Sequence, residues 1–110
     1  MIKESNKTKV VSDLLKTIFL VEMEHLEKIS ERIYLLEGEA TYNPDPLPKI
    51  GDTVDDFLKL DHEAENYAIG LYRKIIAEAL KRGDTKTRSM FEGIIIQEED
   101  HYWTFDDFLR

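Results

Sequence analysis

The sequence predicts an all-α protein, with three main helices in a single domain that covers residues 1–110. Three long stretches place apolar residues at steps of three and four, which is the period of an amphipathic helix. Two breaks separate these stretches, a proline-rich segment at 38–51 and a glycine at position 83. No stretch alternates apolar and polar residues as a half-buried strand would.

The first helix is predicted over residues 10–37, after a polar lead-in at 1–9 that lacks an apolar period. Gly38 is expected to end it, because glycine readily adopts the left-handed conformation that closes a helix. The segment 38–51 holds all three prolines and is expected to be extended, long enough to cross over between parallel helices. The predicted inward stripe consists of Val11, Leu15, Ile18, Glu22, His25, Ile29 and Leu36.

The second and third helices are predicted at 52–82 and 84–109, with Gly83 between them. Asp52 or Thr53 is expected to cap the second helix and Asp84 the third, because short polar side chains accept hydrogen bonds from first-turn N–H groups. The predicted inward face of the second helix carries Val54, Leu58, Asp61, Glu65, Ala68, Tyr72, Ile75 and Ala79. That of the third carries Phe91, Ile94, Glu98, His101, Phe105 and Phe108.

Composition excludes several classes of partner. A formal net charge of −8 argues against nucleic acid, whose phosphates require a basic surface. There is no cysteine, so neither a disulfide nor a thiolate metal site is expected. The longest apolar run, residues 17–21, is too short to span a membrane, and the N-terminus lacks the apolar segment of a signal peptide. A cytoplasmic location is therefore expected.

Two Glu-x-x-His pairs are candidate metal ligands: Glu22 with His25, and Glu98 with His101. Residues three apart lie on one helix face, so each pair directs a carboxylate and an imidazole the same way. Such pairs also occur on solvated helices without any ligand. Here, however, each lies within an apolar stripe, where a carboxylate needs a partner. Imidazole and carboxylate together suit iron, with manganese or zinc as substitutes.

Glu65 is the third acid placed in mid-stripe. It lies 18 residues before Gly83, and Glu98 lies 15 after it, so an antiparallel pair of helices brings them within about one turn. Three such acids and two histidines are expected around one or two divalent cations. The remaining histidine, His62, is expected to be hydrogen-bonded by Asp61 and Glu65 rather than to act as a ligand. Asp61 is a candidate to support Glu65 from one turn away.

Three segments carry a resemblance to bacterioferritins, members of the ferritin-like superfamily. The segment 22–38, with Glu22 and His25, resembles their second helix. The segment 50–65, with Leu58, Asp61 and Glu65, resembles the start of their third, and the segment 95–101, with Glu98 and His101, resembles their fourth. The likeness runs from about Leu15 to Leu109. The family's first helix, which supplies one more terminal glutamate, has no counterpart in these residues.

The resemblance implies a ligand set for a di-iron centre. Glu22 and Glu98 would bridge two irons, His25 and His101 would each bind one, and Glu65 would be terminal. Met23 falls where the family places a haem ligand at a dimer twofold axis. Haem is not expected here, because the missing helix helps to build that interface.

The resulting expectation is a ferritin-like non-haem di-iron protein that oxidises Fe(II) with O₂ or peroxide, a ferroxidase for iron storage or detoxification. The bundle and its ligand set would be completed in a homo-oligomer, since three helices leave an apolar seam exposed. One alternative is a di-metal protein that scavenges peroxide. The other is a non-catalytic helical metal-binding or assembly module whose site is incomplete, which the missing carboxylate favours.

Overall fold

The computed structural model describes residues 4–36, 38 and 53–110. These residues form three α-helices, α1 (Glu4–Leu35), α2 (Val54–Arg82) and α3 (Thr85–Leu109), and contain no strand. The prediction of an all-α chain with three main helices is confirmed. Apart from Gly38, the predicted connection at 38–51 lies outside the described residues, as does the alternative cap Asp52.

The chain divides by its internal contacts into two compact units, Met1–Pro48 and Lys49–Arg110. The first contains α1, and the second contains α2 and α3. A single domain over residues 1–110 stays a prediction. Among the helices described, none is long and apolar enough to cross a bilayer.

The helix α1 begins at Glu4, six residues before its predicted start. The prediction of a non-helical lead-in at 1–9 is therefore wrong for residues 4–9. The cause lies in burial: side chains of this first part of the helix, such as Asn6, Thr8 and Lys9, are exposed and produce no apolar period. An apolar stripe shows where a helix is covered, and a helix can extend beyond its covered part.

The other end of α1 also differs from the prediction, since the helix stops at Leu35 rather than at 37. Leu36 is 56% exposed, so its assignment to the inward stripe is wrong because it lies beyond the last helical turn. The N–H of Gly38 donates to the carbonyl of Ile33 at 2.8 Å, which satisfies one of the free carbonyls of that turn. Glycine is favoured there, because a Cβ would lie 2.9 Å from Ile33 Cγ2 and 3.2 Å from Ile33 O, so that neighbouring atoms would have to shift.

Two reciprocal hydrogen bonds between Thr53 and Asp56 cap the N-terminal end of α2. The Thr53 hydroxyl accepts from the Asp56 N–H at 3.1 Å, and the Thr53 N–H donates to Asp56 Oδ2 at 3.3 Å. This capping box satisfies first-turn donors that would otherwise lack a partner. Asp55 and Asp56 also place negative charge at the positive end of the helix dipole. Thr53 is thus the cap, as one of the two predicted positions.

A two-residue turn joins α2 to α3. Gly83 has φ 72° and ψ 20°, and its N–H donates to Leu80 O at 3.2 Å, while the N–H of Asp84 donates to Ala79 O at 2.8 Å. These two bonds form a Schellman closure, which needs a left-handed residue. Asp84 then caps α3 by accepting from the Thr87 N–H at 3.1 Å and from its hydroxyl at 2.6 Å. Both predicted roles are confirmed.

The turn makes α2 and α3 an antiparallel hairpin, and the two helices are in extensive contact. Leu58 and Phe105 are fully buried, and the rings of Tyr72 and Phe91 lie 5.2 Å apart. Most of the predicted stripes are covered. The buried apolar residues of this unit are Leu58, Ile69, Ala79, Phe91, Ile94, Ile95 and Phe105, of which Ile69 and Ile95 were not predicted.

Candidate metal centre

The α2–α3 hairpin brings Glu65, Glu98 and His101 together. Glu65 comes from the middle of α2, and the other two come from the middle of α3. His101 Nδ1 lies 3.8 Å from Glu65 Oε1 and 3.7 Å from Glu98 Oε1. One candidate ligand atom from each of the three residues lies within 4.8 Å of the other two. The antiparallel register about Gly83 is what places them at one level.

Both carboxylates of this group are withdrawn from water. Glu65 is 8% exposed and Glu98 is 2% exposed. Glu65 Oε2 is buried and has no hydrogen-bond partner among the described residues. A buried carboxylate oxygen without a donor is unfavourable by several kcal/mol, on the order of the cost of burying an unpaired charge. A cation at this position would remove that cost.

The donor atoms fit a cation in both chemistry and spacing. Carboxylate oxygen and imidazole nitrogen are ligands that iron, manganese and zinc accept. Since metal–ligand bonds to these atoms are about 2.0–2.2 Å, two ligands on one ion lie up to about 4.2 Å apart. The 3.7 and 3.8 Å separations from His101 fall inside this limit. One ion could therefore bind between these side chains with small adjustments.

Asp61 lies one turn before Glu65 on the same helix. Burial raises the pKa of the Asp61 carboxyl, and the negative charge of Glu65 raises it further. The two carboxyls therefore disfavour being ionised together, which is the situation that a bound cation relieves. Asp61 is only half-buried, consistent with a supporting position beside the ligands.

The other Glu-x-x-His pair has similar local geometry on α1. His25 Nδ1 lies 3.8 Å from Glu22 Oε2, and His25 is 2% exposed while the Glu22 side chain is 36% exposed. The i, i+3 spacing therefore places an imidazole beside a carboxylate in both pairs, as the sequence predicted. A single centre containing all five residues stays a prediction. Met23 is 46% exposed on the same helix.

The environment of His62 was not predicted correctly. Instead of Asp61 or Glu65, its partner is Asp106 on α3, with Nε2 3.4 Å from Oδ1. Asp61 is adjacent in sequence and so points to a different side of the helix, and Glu65 faces His101. The register about Gly83 places the two residues at a similar level, because His62 lies 21 residues before that turn and Asp106 lies 23 after it, but it does not fix the rotation of α3.

Comparison with known proteins agrees with this geometry. The Ferritin-like domain family matches residues 2–110, nearly the entire sequence. The chain belongs to the ferritin-like family.

Several relatives of this ferritin-like chain are bacterioferritins. That of Rhodobacter capsulatus is 37% identical over 81 residues, which is 73% of this chain and 50% of the relative. That of Desulfovibrio desulfuricans is 30% identical over 93 residues, covering 84% of this chain and 52% of the relative. The chain thus spans about half the length of the curated relatives it matches.

A solved structure shows the same fold. The D. desulfuricans bacterioferritin, whose di-iron site was crystallised in different catalytic states, superposes with a TM-score of 0.80 at 30% sequence identity. The match covers 86% of this chain and 55% of the other. The resemblance to bacterioferritins and the ferritin-like fold expected from the sequence are therefore confirmed.

Proposed function

We propose that this ferritin-like chain is a non-haem di-iron protein that binds Fe(II) and oxidises it with O₂ or peroxide, for iron storage or detoxification. The observation that carries the proposal is the group formed by Glu65, Glu98 and His101, two buried carboxylates facing one imidazole. It occurs in a chain whose relatives include a bacterioferritin with a di-iron site. Iron is here the substrate as well as the occupant of the site.

In the proposed ligand set, Glu22, His25, Glu65, Glu98 and His101 would hold the iron, with Glu22 and Glu98 shared between two ions, one histidine for each ion, and Glu65 on one of them. The assignment follows the family resemblance. Bridging carboxylates would hold two cations close by offsetting their charge, and neutral imidazoles would leave coordination positions open for the oxidant. Two Fe(II) would together supply two electrons, which with two protons reduce O₂ to hydrogen peroxide or hydrogen peroxide to two water molecules.

The sixth ligand is proposed to come from a second copy of the chain. The resemblance to bacterioferritins implies one further terminal glutamate, on a first helix that has no counterpart among α1, α2 and α3. A homo-oligomer could supply both that helix and its carboxylate. Such an assembly would make the activity depend on protein concentration, because the complete site exists only in the oligomer.

Anaerobic titration with Fe(II), followed by admission of air, tests the proposal. We expect two Fe(II) per complete site and a rapid rise of ferric absorbance in the near ultraviolet. Glu98→Ala and His101→Ala should each weaken Fe(II) binding by ten-fold or more and slow the oxidation. Asp100→Ala is the matched control, because Asp100 is exposed on the same turn of α3 and carries the same charge.

The control also measures non-specific iron binding to a chain of net charge −8. The proposed centre does not exist if the Glu98→Ala and His101→Ala variants bind Fe(II) with the same affinity as the unmodified chain and the Asp100→Ala variant. Repeating the oxidation with peroxide under argon identifies the oxidant. Faster turnover with peroxide than with O₂ would favour a peroxide-scavenging di-metal protein.

A non-catalytic metal-binding module is the second candidate. One observation favours it: the three ligands of the α2–α3 hairpin already form a group that suits one cation without α1. Such a protein would bind a single Fe(II) or Zn²⁺ tightly and show no accelerated oxidation in air. The stoichiometry and the oxidation rate of the same titration therefore separate the two candidates.

A further inference from the structure

A second imidazole–carboxylate pair lies in the α2–α3 hairpin, outside the group formed by Glu65, Glu98 and His101. His62 Nε2 is 3.4 Å from Asp106 Oδ1, and the two side chains are 22% and 23% exposed. Nε2 itself is buried and has no hydrogen-bond partner among the described residues. The two atoms therefore face each other without the geometry of a hydrogen bond between them.

Neighbouring side chains fix the orientation of both groups. The His62 ring stacks on the Tyr102 ring, with centroids 4.2 Å apart and planes at 23°, and the Trp103 ring contacts Tyr102 edge-on at 5.1 Å. Stacking on the Tyr102 ring, which Trp103 in turn contacts, limits rotation of the imidazole. On the other side, Asp106 Oδ2 accepts from Arg110 Nε at 3.0 Å and from Nη2 at 2.8 Å. Oδ1 is thereby left directed at His62.

The separation between the two atoms matches that of ligands on one ion. Two ligands bound at about 2.05 Å to a tetrahedral cation lie about 3.3 Å apart. The observed 3.4 Å agrees with this value. In the tautomer protonated at Nδ1, Nε2 of His62 presents a lone pair to the carboxylate oxygen, and the two atoms would repel each other unless a cation lay between them. An orienting hydrogen bond to the ligand carboxylate, as Arg110 supplies, is common at metal sites.

We propose that His62 and Asp106 form a second binding site for a divalent transition-metal cation, distinct from the candidate centre. His62 precedes Glu65 by three residues, about 4.5 Å along α2, and Asp106 follows His101 by five, about 7.5 Å along α3. Both displacements run towards the end of the hairpin away from Gly83. With two protein ligands, such a site would need water at its remaining coordination positions.

Zinc and cobalt are the probes, because neither is oxidised by air under these conditions. In a Glu98→Ala background, where the candidate centre has lost a ligand, calorimetric titration with Zn²⁺ should still show a site. His62→Gln and Asp106→Asn should each weaken that site by at least ten-fold. Asp107→Asn, a matched change at an exposed neighbouring position, should leave it unaltered. Co²⁺ should give visible absorption that the first two variants lose.

The inference fails if His62→Gln and Asp106→Asn bind Zn²⁺ as Asp107→Asn does. It also fails if the His62 ring nitrogen resonances of the unsubstituted chain do not respond to Zn²⁺ in NMR, a measurement that needs no variant to fold. If the chain does not oxidise Fe(II), the calorimetric and NMR results still test this site, since neither depends on the candidate centre. The site and the proposed function are therefore tested separately.

Discussion

At the scale of single residues, Glu65 is buried and its Oε2 has no hydrogen-bond partner in the described part of the chain. Its position on the inward face of α2 was predictable, because an acid that interrupts an apolar stripe stands out in the sequence. Its contact with His101 followed from the register about Gly83. The lack of a hydrogen-bond partner for Oε2 among the described residues could not be predicted, since hydrogen bonding depends on side-chain rotamers rather than on sequence spacing.

Glu65→Gln should therefore separate stability from metal binding. Removing the buried charge should leave the free energy of unfolding of the metal-free protein unchanged or raise it by about 1 kcal/mol. Loss of a carboxylate ligand should weaken metal binding by ten- to a hundred-fold, so the stabilisation by saturating metal falls by about 1.4–2.7 kcal/mol. Urea unfolding with and without Zn²⁺ measures both quantities.

The matched control is Glu63→Gln, which removes the same charge at an exposed position of α2. It should change neither quantity by more than about 0.5 kcal/mol. A marked loss of metal-free stability in Glu65→Gln would contradict the interpretation, because it would mean that the ionised carboxylate is already well satisfied.

The contact between His62 and Asp106 could not be predicted from the sequence. Its neighbours along α2 were visible in the sequence, whereas Asp106 lies 44 residues further on. Pairing the two required the exact rotation of α3 about its axis, which a register estimate good to about one turn does not provide. The Glu-x-x-His pairs succeeded because three-residue spacing on a helix fixes both side chains at once.

At the scale of helices, the helix ends that carry a capping residue or a turn glycine were predictable from the sequence. The start of α1 was not. Thr53, Gly83 and Asp84 each have a side chain or backbone freedom that only a cap or turn uses. The start of α1 lacks such a signal. An exposed helical turn and an exposed coil have a similar polar composition. The sequence therefore predicted a helix start at residue 10, whereas α1 begins at Glu4.

Gly70 within α2 and Gly83 just after it should respond to alanine substitution with changes in stability of opposite sign. Gly83→Ala forces a Cβ into φ 72° and should lower the free energy of unfolding by about 1 kcal/mol. Gly70 lies within the helix, and no described residue comes within 4 Å of an added Cβ, so Gly70→Ala should raise the free energy of unfolding by about 0.5–1 kcal/mol. Thermal unfolding followed by circular dichroism measures the difference.

Each glycine variant serves as the control for the other, since the chemical change is identical. Equal effects of the two substitutions would contradict the assignment of Gly83 to a left-handed turn. A loss of stability in Gly70→Ala would instead indicate that another molecule approaches the backbone there, because the described residues leave that space open.

At the scale of the whole molecule, the family and the all-α fold were predictable, while the assembly state stays a prediction. Three of the four large apolar residues of α2 that remain exposed lie on one side of the helix: Phe57, Tyr67 and Leu71 are 44%, 64% and 43% exposed. A monomeric protein rarely leaves such a face uncovered. The expectation of a homo-oligomer rests on this face.

Leu71→Gln should therefore weaken self-association by about ten- to a hundred-fold, because burying a leucine in an interface contributes about 1.5–3 kcal/mol. Leu80→Gln is the matched control. Leu80 is 61% exposed and lies nine residues further along α2, half a turn away from Leu71. Sedimentation equilibrium over a range of concentrations measures both.

Equal dissociation by the two substitutions would locate the interface elsewhere. A chain that is strictly monomeric at all concentrations would contradict the proposal that a second copy completes the ligand set. It would leave the group in the α2–α3 hairpin, and the cation site proposed at His62, unaffected.

The two-residue turn at Gly83 and Asp84 also bears on how the chain reaches its native state. Closing so short a loop loses little chain entropy, so α2 and α3 should pair from the turn outwards, on the fast time scale of local contacts. Glu65 and Glu98 lie 33 residues apart and meet only after the apolar segments nearer the turn have paired. Their mutual repulsion therefore arises late, and should speed unfolding of the metal-free hairpin more than it slows folding.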